Sequence, residues 1–321
     1  MVKALIQRNS RILRCGVLAA LTVPAVAGAS GIPTATPLEE VVVTASRIGL
    51  VGESRAATEG IVPAIQLEGR PVLRPGEVLE VVPGLVVTQH SGDGKANQYF
   101  LRGFNLDHGT DFATSVGGIP VNMPTHAHGQ GYADINFLIP ELIDEVRYRK
   151  GTYFADEGNF SAAGAADIIY RRDVDAPTVS LTYGEHDYRR VLLAASPGVG
   201  SGALLLGLDY SLADGPWELP QDFRKVNGLA KYSRGDAARG LAVTGMGYDG
   251  QWDSTDQIPL RATRAGCEEI PFCISRFGYV DPTAGGESHR YSLSLDGWSR
   301  EDDGRGWTVN AYAMDYHLQL I

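Results

Sequence analysis

The residues best suited to chemistry lie in one stretch, Asn122-Met-Pro-Thr-His126-Ala-His128-Gly-Gln130-Gly-Tyr132. Alternate side chains of an extended segment point the same way, so His126 and His128 would present two imidazoles together. Imidazole suits zinc, copper or nickel. Asp107 and His108, in an earlier loop, are candidates to complete the set, and Gln130 and Tyr132 add polar and aromatic contacts. A ligand site is therefore read on Asp107, His108, His126, His128, Gln130 and Tyr132, with His126 and His128 as its metal-binding pair. The rival reading is structural: His-x-His is a weak signal, and loops facing a wet interior need polar groups to bond their surroundings and buried water. The chain has no HExxH, GxSxG or Walker-type motif. Scattered Asp and His residues make no triad without geometry, so neither an enzyme nor a cofactor is expected.

The elements that must position this stretch are announced by the chain's front end. Lys3, Arg8, Arg11 and Arg14 precede an apolar run from Gly16 to Val26, and Ala-x-Ala sites end at Ala27 and Ala29. That order predicts a signal peptide over residues 1–29. The run is shorter than the ~20 residues of a membrane-spanning helix. A retained anchor is the alternative. Nothing later in the chain is long and apolar enough to be such a helix, so any insertion must be by strands. In the exported chain Cys267 and Cys273 remain, separated by five residues, with no histidine within ten of either. They read as a local disulfide, with a metal pair as the alternative. The chain has 28 basic and 38 acidic residues, a net charge of −10, and the leader holds four of the basic ones. Such a balance argues against nucleic acid as a partner.

Two rhythms follow. From about residue 52 to 172, short segments and frequent turns predict a mixed α+β domain. Helical turns are expected after Pro75 and Pro140, and a hairpin at Gly117-Gly118. From residue 177 to 321 the segments lengthen and alternate. Leu204, Leu206, Leu208, Tyr210 and Leu212 fall on one face, with Gly207, Asp209 and Ser211 on the other. Seven strands are predicted, at about 178–185, 187–196, 202–213, 224–234, 238–249, 288–299 and 306–321. Most match the ~9–11 residues of a tilted membrane strand rather than the usual soluble strand of about 5–6. Short turns alternate with the long loops 214–223 and 250–287, which places both long loops and the cysteines outside the cell.

Six segments, in order, carry a resemblance: LEEVVVTASR from Leu38, RPGEVLEVVPGLVV from Arg74, YFLRGF from Tyr99, VGGIPVN from Val116, LIPELIDEVRYRKG from Leu138 and FSAAGAADIIYRR from Phe160. Together they resemble the TonB-dependent outer-membrane receptors. The resemblance implies an α+β plug domain followed by an antiparallel transmembrane β-barrel of about 22 strands. Seven strands make that barrel incomplete, and the chain ends inside a strand without the family's terminal aromatic residue, so a truncated sequence is expected. The family resemblance assigns residues 38–47 to a TonB box. Within it Glu40, Val41, Val42, Val43, Thr44 and Ala45 would add a strand to the periplasmic TonB protein through main-chain bonds. Arg102, Gly103, Arg147 and Arg149 would be structural in the plug, the arginines through plug-to-barrel salt bridges and hydrogen bonds. The implied function is TonB-dependent uptake of a scarce ligand across the outer membrane, foremost a ferric siderophore, with zinc or copper as the alternative. A different class, an exported β-sheet binding or adhesion protein without transport, stays open at this level. Ligand, TonB protein and outer-membrane lipid are the expected partners.

Overall fold

Period-two alternation decides the larger part of the molecule, because successive side chains of a strand face opposite ways. In the computed structural model, residues 53–89, 92–253, 257–263, 273–301 and 303–321 are described. The signal peptide and the TonB box expected from the sequence lie outside them.

The first part holds β1 (Glu53–Ala56), β2 (Glu59–Pro63), the short helix α1 (Ala64–Glu68), β3 (Leu85–Thr88), β4 (Gln98–Leu101) and β5 (Phe104–Asn105). It continues with β6 (Phe112–Val116), β7 (Ile119–Pro120), β8 (Ile143–Lys150) and β9 (Gly164–Tyr170). Six of these strands form a mixed sheet in the order β1-β2-β8-β9-β6-β7, and β3-β4-β5 form a second. Only β6 and β9 run parallel within the first sheet, a pairing of segments about fifty residues apart that no local pattern announces. The two helical turns expected from proline are present as 3-10 turns, Pro75–Val81 and Pro140–Leu142. Helix α1 was not expected. Its five residues are too few for the 3.6-residue period to register.

The second part is one antiparallel sheet. It comprises β10 (Thr178–Tyr183), β11 (Arg189–Ala195), a two-residue β12 (Gly198–Val199) and β13 (Gly202–Ala213). β14 (Phe223–Gly235), β15 (Arg239–Asp253), β16 (Gly285–Arg300) and β17 (Gly306–Leu320) complete it. The order is β10-β11-β13-β14-β15-β16-β17, with β12 beside β13, so each long strand pairs with the next. β13 to β17 run 12 to 16 residues, long enough to cross a bilayer when tilted.

The two faces differ as the alternation requires. Leu192, Ala194, Leu205, Leu229 and Tyr248 point inward and join one core with Leu79, Leu101, Ile135, Leu138 and Ile168 of the first part. Leu206, Leu208, Tyr210, Leu241, Val243, Leu293 and Leu295 point outward and are exposed. An outward apolar face of this kind is the pattern that a barrel wall presents to lipid. Gly207 shows how closely the parts fit. A Cβ there would lie 2.3 Å from Leu142 Cδ1, so the 3-10 turn seats where the wall has no side chain. No described helix is long and apolar enough to cross a membrane, which says nothing of crossing by strands.

Candidate functional site

Asn122 shapes the histidine loop. It follows β7 and is buried. Its Oδ1 accepts the Thr114 N–H at 2.6 Å. Its Nδ2 is shared among the carbonyls of Gly109, Phe112 and Gly131 at 2.9, 3.0 and 3.0 Å. One amide thus ties together three backbone segments and meets polar groups of the interior. Gly109 sits at φ +121°, and a Cβ on it would meet the Ala133 Cβ at 2.6 Å, so the turn that carries Asp107 and His108 closes only on glycine. A bridge between Met123 and Tyr132 closes the loop.

Within that frame the rings converge. His126 stacks on Tyr132 at 4.2 Å with the planes 4° apart. His128 meets His108 edge-on at 4.6 Å. Tyr316 of β17 brings the wall to 6.3 Å from His126. His108 is buried, and its Nδ1 faces the carbonyls of Ala96 and Asn97 at 2.9 and 3.2 Å, so Nδ1 carries the hydrogen. His126 Nδ1 instead accepts the His128 N–H at 3.2 Å, which leaves the ring hydrogen on Nε2. Burial, helped by His128, depresses the His126 pKa and keeps the ring neutral. Asp107 Oδ1 lies 3.8 Å from His108 Nε2. Gln130 is in the same loop with its side chain exposed, and its carbonyl accepts the Thr110 hydroxyl.

The six residues singled out in the sequence are therefore neighbours. The loop is not the extended segment assumed for His126 and His128, however. Pro124, the Gly131 turn at φ +82° and the Met123–Tyr132 bridge bend it, so the two imidazoles meet Tyr132 differently, one face-on and one edge-on. Among the described residues no group of three or more His, Cys, Asp or Glu side chains is placed to hold a metal ion. What the loop presents is ring faces, a neutral N–H donor on His126 and the half-exposed Asp107 carboxylate.

Polar groups of the wall hold the plug-like part in place. Arg190 of β11 donates from Nη2 to Glu141 at 2.9 Å and to Asp209 at 3.0 Å, and Lys225 Nζ is 3.8 Å from Asp209. Asn227 Nδ2 bonds the carbonyls of Asn136 and Leu138 at 3.1 and 3.2 Å. Lys231 donates to the Tyr170 carbonyl at 2.6 Å. The arginines expected to bridge to the wall act elsewhere. Arg147 pairs with Glu145, and Arg149 with Asp156 and Glu157, all inside the first part. Arg102 and Gly103, at φ +52° and +85°, form the turn between β4 and β5. The roles missed in the sequence are those of Asn122 and of the pair Glu141–Arg190. An asparagine after a strand gives no signal of its bonds, and a pair 49 residues apart gives none of its contact. Cys273 is disulfide-bonded. Its expected partner, Cys267, lies outside the described residues.

Residues 53–165 match the family described as the TonB-dependent receptor plug domain. Solved structures share the wider fold. The ferric citrate transporter FecA in its unliganded form aligns with a TM-score of 0.64 at 14% identity, over 85% of this chain and 41% of that one. The copper transporter OprC aligns at 0.58 and 17% identity, over 83% and 38%. The pyoverdine receptor FpvA of Pseudomonas aeruginosa PAO1 aligns at 0.59 and 18% identity, over 81% and 37%. The chain thus spans well under half the length of the receptors that it matches. Fold and site define a plug domain followed by part of an antiparallel barrel. Residues 53–165 are thus a plug domain of the TonB-dependent receptor type, and the strands after it share the fold of those solved structures.

Proposed function

We propose that this chain serves in an outer-membrane receptor for TonB-dependent uptake of a scarce ligand, and that the ligand is a ferric chelate of the siderophore class. The observation that carries the reading is the convergence of Asp107, His108, His126, His128 and Tyr132 of the plug with Tyr316 of the wall. Ring faces and a neutral N–H donor suit the planar, oxygen-rich surface of a chelate. The siderophore receptor PirA from Acinetobacter baumannii is among the solved structures that share the fold. Residues 1–29 serve as signal peptide, 38–47 as TonB box, 52–172 as plug and 177–321 as barrel strands, with the long loops 214–223 and 250–287 outside the cell.

The test is calorimetric titration of the full-length receptor with a panel of ferric chelates and with bare zinc and copper. His126→Ala/His128→Ala is expected to weaken chelate binding by at least about tenfold, the loss of roughly 1.4 kcal/mol. Unchanged chelate affinity in that variant sinks the reading. The closeness of His108 and His128 favours one alternative, uptake of zinc or copper. It predicts bare-ion binding that the same substitutions abolish.

Energy coupling is proposed for Glu40 to Ala45, which would pair as a strand with the TonB protein in the periplasm. A proline in a strand removes a donor and fixes φ. Val42→Pro in the full-length receptor is expected to abolish uptake while ligand binding stays intact. Wild-type uptake by that variant would count against the box.

A further inference from the structure

Asp134 stands two residues beyond the loop, at the seam between plug and wall. It is 3% exposed. Its Oδ1 accepts the Asn136 N–H at 2.8 Å, while Oδ2 is buried and has no hydrogen-bond partner. Arg290 of β16 faces it and is 2% exposed. Arg290 Nη2 donates to the Pro120 carbonyl at 3.0 Å and its guanidinium lies over Phe137, but Nε has no partner. The other titratable groups facing Asp134 are Lys225 of β14, Tyr99 of β4, Tyr132 of the loop, Tyr248 of β15 and Tyr316 of β17. Lys225 is turned toward Asp209, and the Tyr316 hydroxyl is buried without a partner.

The seam therefore asks a carboxylate to give up water for the Asn136 backbone N–H, the Asn136 side-chain amide and two cations that make no salt bridge with it. Burial outweighs the cations and pushes the Asp134 pKa up to about 6 from an ordinary 3.8. A neutral carboxyl gains an O–H donor and loses the charge that the seam fails to solvate.

We propose that Asp134 makes the seat of the histidine loop against β14–β17 an acid-tightened latch, firm in acid and loosened as the medium turns neutral. The closed seat holds the proton more tightly than an opened, hydrated Asp134. Opening thus becomes easier as pH rises from about 4 to about 6, and levels off above that. Across this window the opening equilibrium should rise on the order of a hundredfold. The latch needs only the contact of plug with wall, so it stands or falls apart from ligand and energy coupling.

Hydrogen exchange of the full-length protein, corrected for the intrinsic pH dependence of exchange, reads the seat over residues 120–139. In the wild type, protection there should fall on the order of a hundredfold between pH 4 and 7. Asp134→Asn should keep the acid-form protection at both pH values. Asp144→Asn, at an exposed plug acid, should behave as wild type. Arg290→Gln removes a cation that favours the charged form and should move the plateau to higher pH, which serves if Asp134→Asn does not fold. A flat wild-type profile overturns the latch. So does a wild-type profile in Asp134→Asn, an altered one in Asp144→Asn, or an unmoved plateau in Arg290→Gln.

Discussion

Asn122→Ala is expected to destabilise the plug by about 3–5 kcal/mol. The side chain is 7% exposed and satisfies the Thr114 N–H and three carbonyls. A buried polar group left unmet costs roughly 1–3 kcal/mol. The total stays below four full penalties, because the Gly109 carbonyl keeps the Phe112 N–H at 3.1 Å and the Phe112 carbonyl keeps a contact with the Thr114 hydroxyl at 3.4 Å. Asn122→Asp should be no milder. It keeps an acceptor for Thr114 but turns a carboxylate oxygen toward the carbonyls, where a donor stood. Urea titration followed by exchange protection over residues 105–135 measures both variants. Wild-type protection in Asn122→Ala would mean that the loop is held by something other than this amide.

Arg190→Met should be nearly as costly, about 3 kcal/mol or more, through a different mechanism. Asp209 is fully buried, and Arg190 is its main counter-charge. The remaining Lys225 is 3.8 Å away, and Ser211 offers one neutral donor at 2.9 Å. Removing one member of a buried ion pair strands the other, which costs about 3–5 kcal/mol, whereas removing both is often nearly neutral. Arg190→Met/Asp209→Asn should therefore recover most of the stability lost in the single variant. Glu141 is 42% exposed, so Glu141→Gln should cost only about 1 kcal/mol or less. Thermal unfolding of the four proteins forms the test. Equal losses in the single and double variants would show that the arginine acts by packing and not by charge.

These expectations rest on residues whose partners are far away in the chain, and they mark where sequence reading stops. The strands of the wall were legible because a sheet with one face on the core and one apolar face outward enforces period two over each strand, and β13 to β17 are long enough to show it. Their neighbours were legible too, since consecutive strands joined by turns pair with each other. Plug motifs such as Tyr99 to Phe104 and Val116 to Asn122 fall where expected, on β4–β5 and on the β6–β7 hairpin.

The grouping of Asp107, His108, His126, His128, Gln130 and Tyr132 was also read from the sequence, and the six are neighbours in the fold. Their geometry was not. Whether His126 offers a lone pair or an N–H depends on which nitrogen meets the His128 backbone, a matter of angstroms that loop closure settles. The parallel pairing of β6 with β9, the turn of Leu142 into the bare site at Gly207, and the burial of Asp134 opposite Arg290 likewise have no local signature. The sequence by itself determined the LEEVVVTASR string, the alternating wall and the set of polar residues, because periodicity and short motifs are properties of neighbours along the chain. Tertiary structure alone decided which Arg holds the plug, which imidazole donates, and which carboxyl loses its water, because burial and charge pairing depend on residues brought together only by folding.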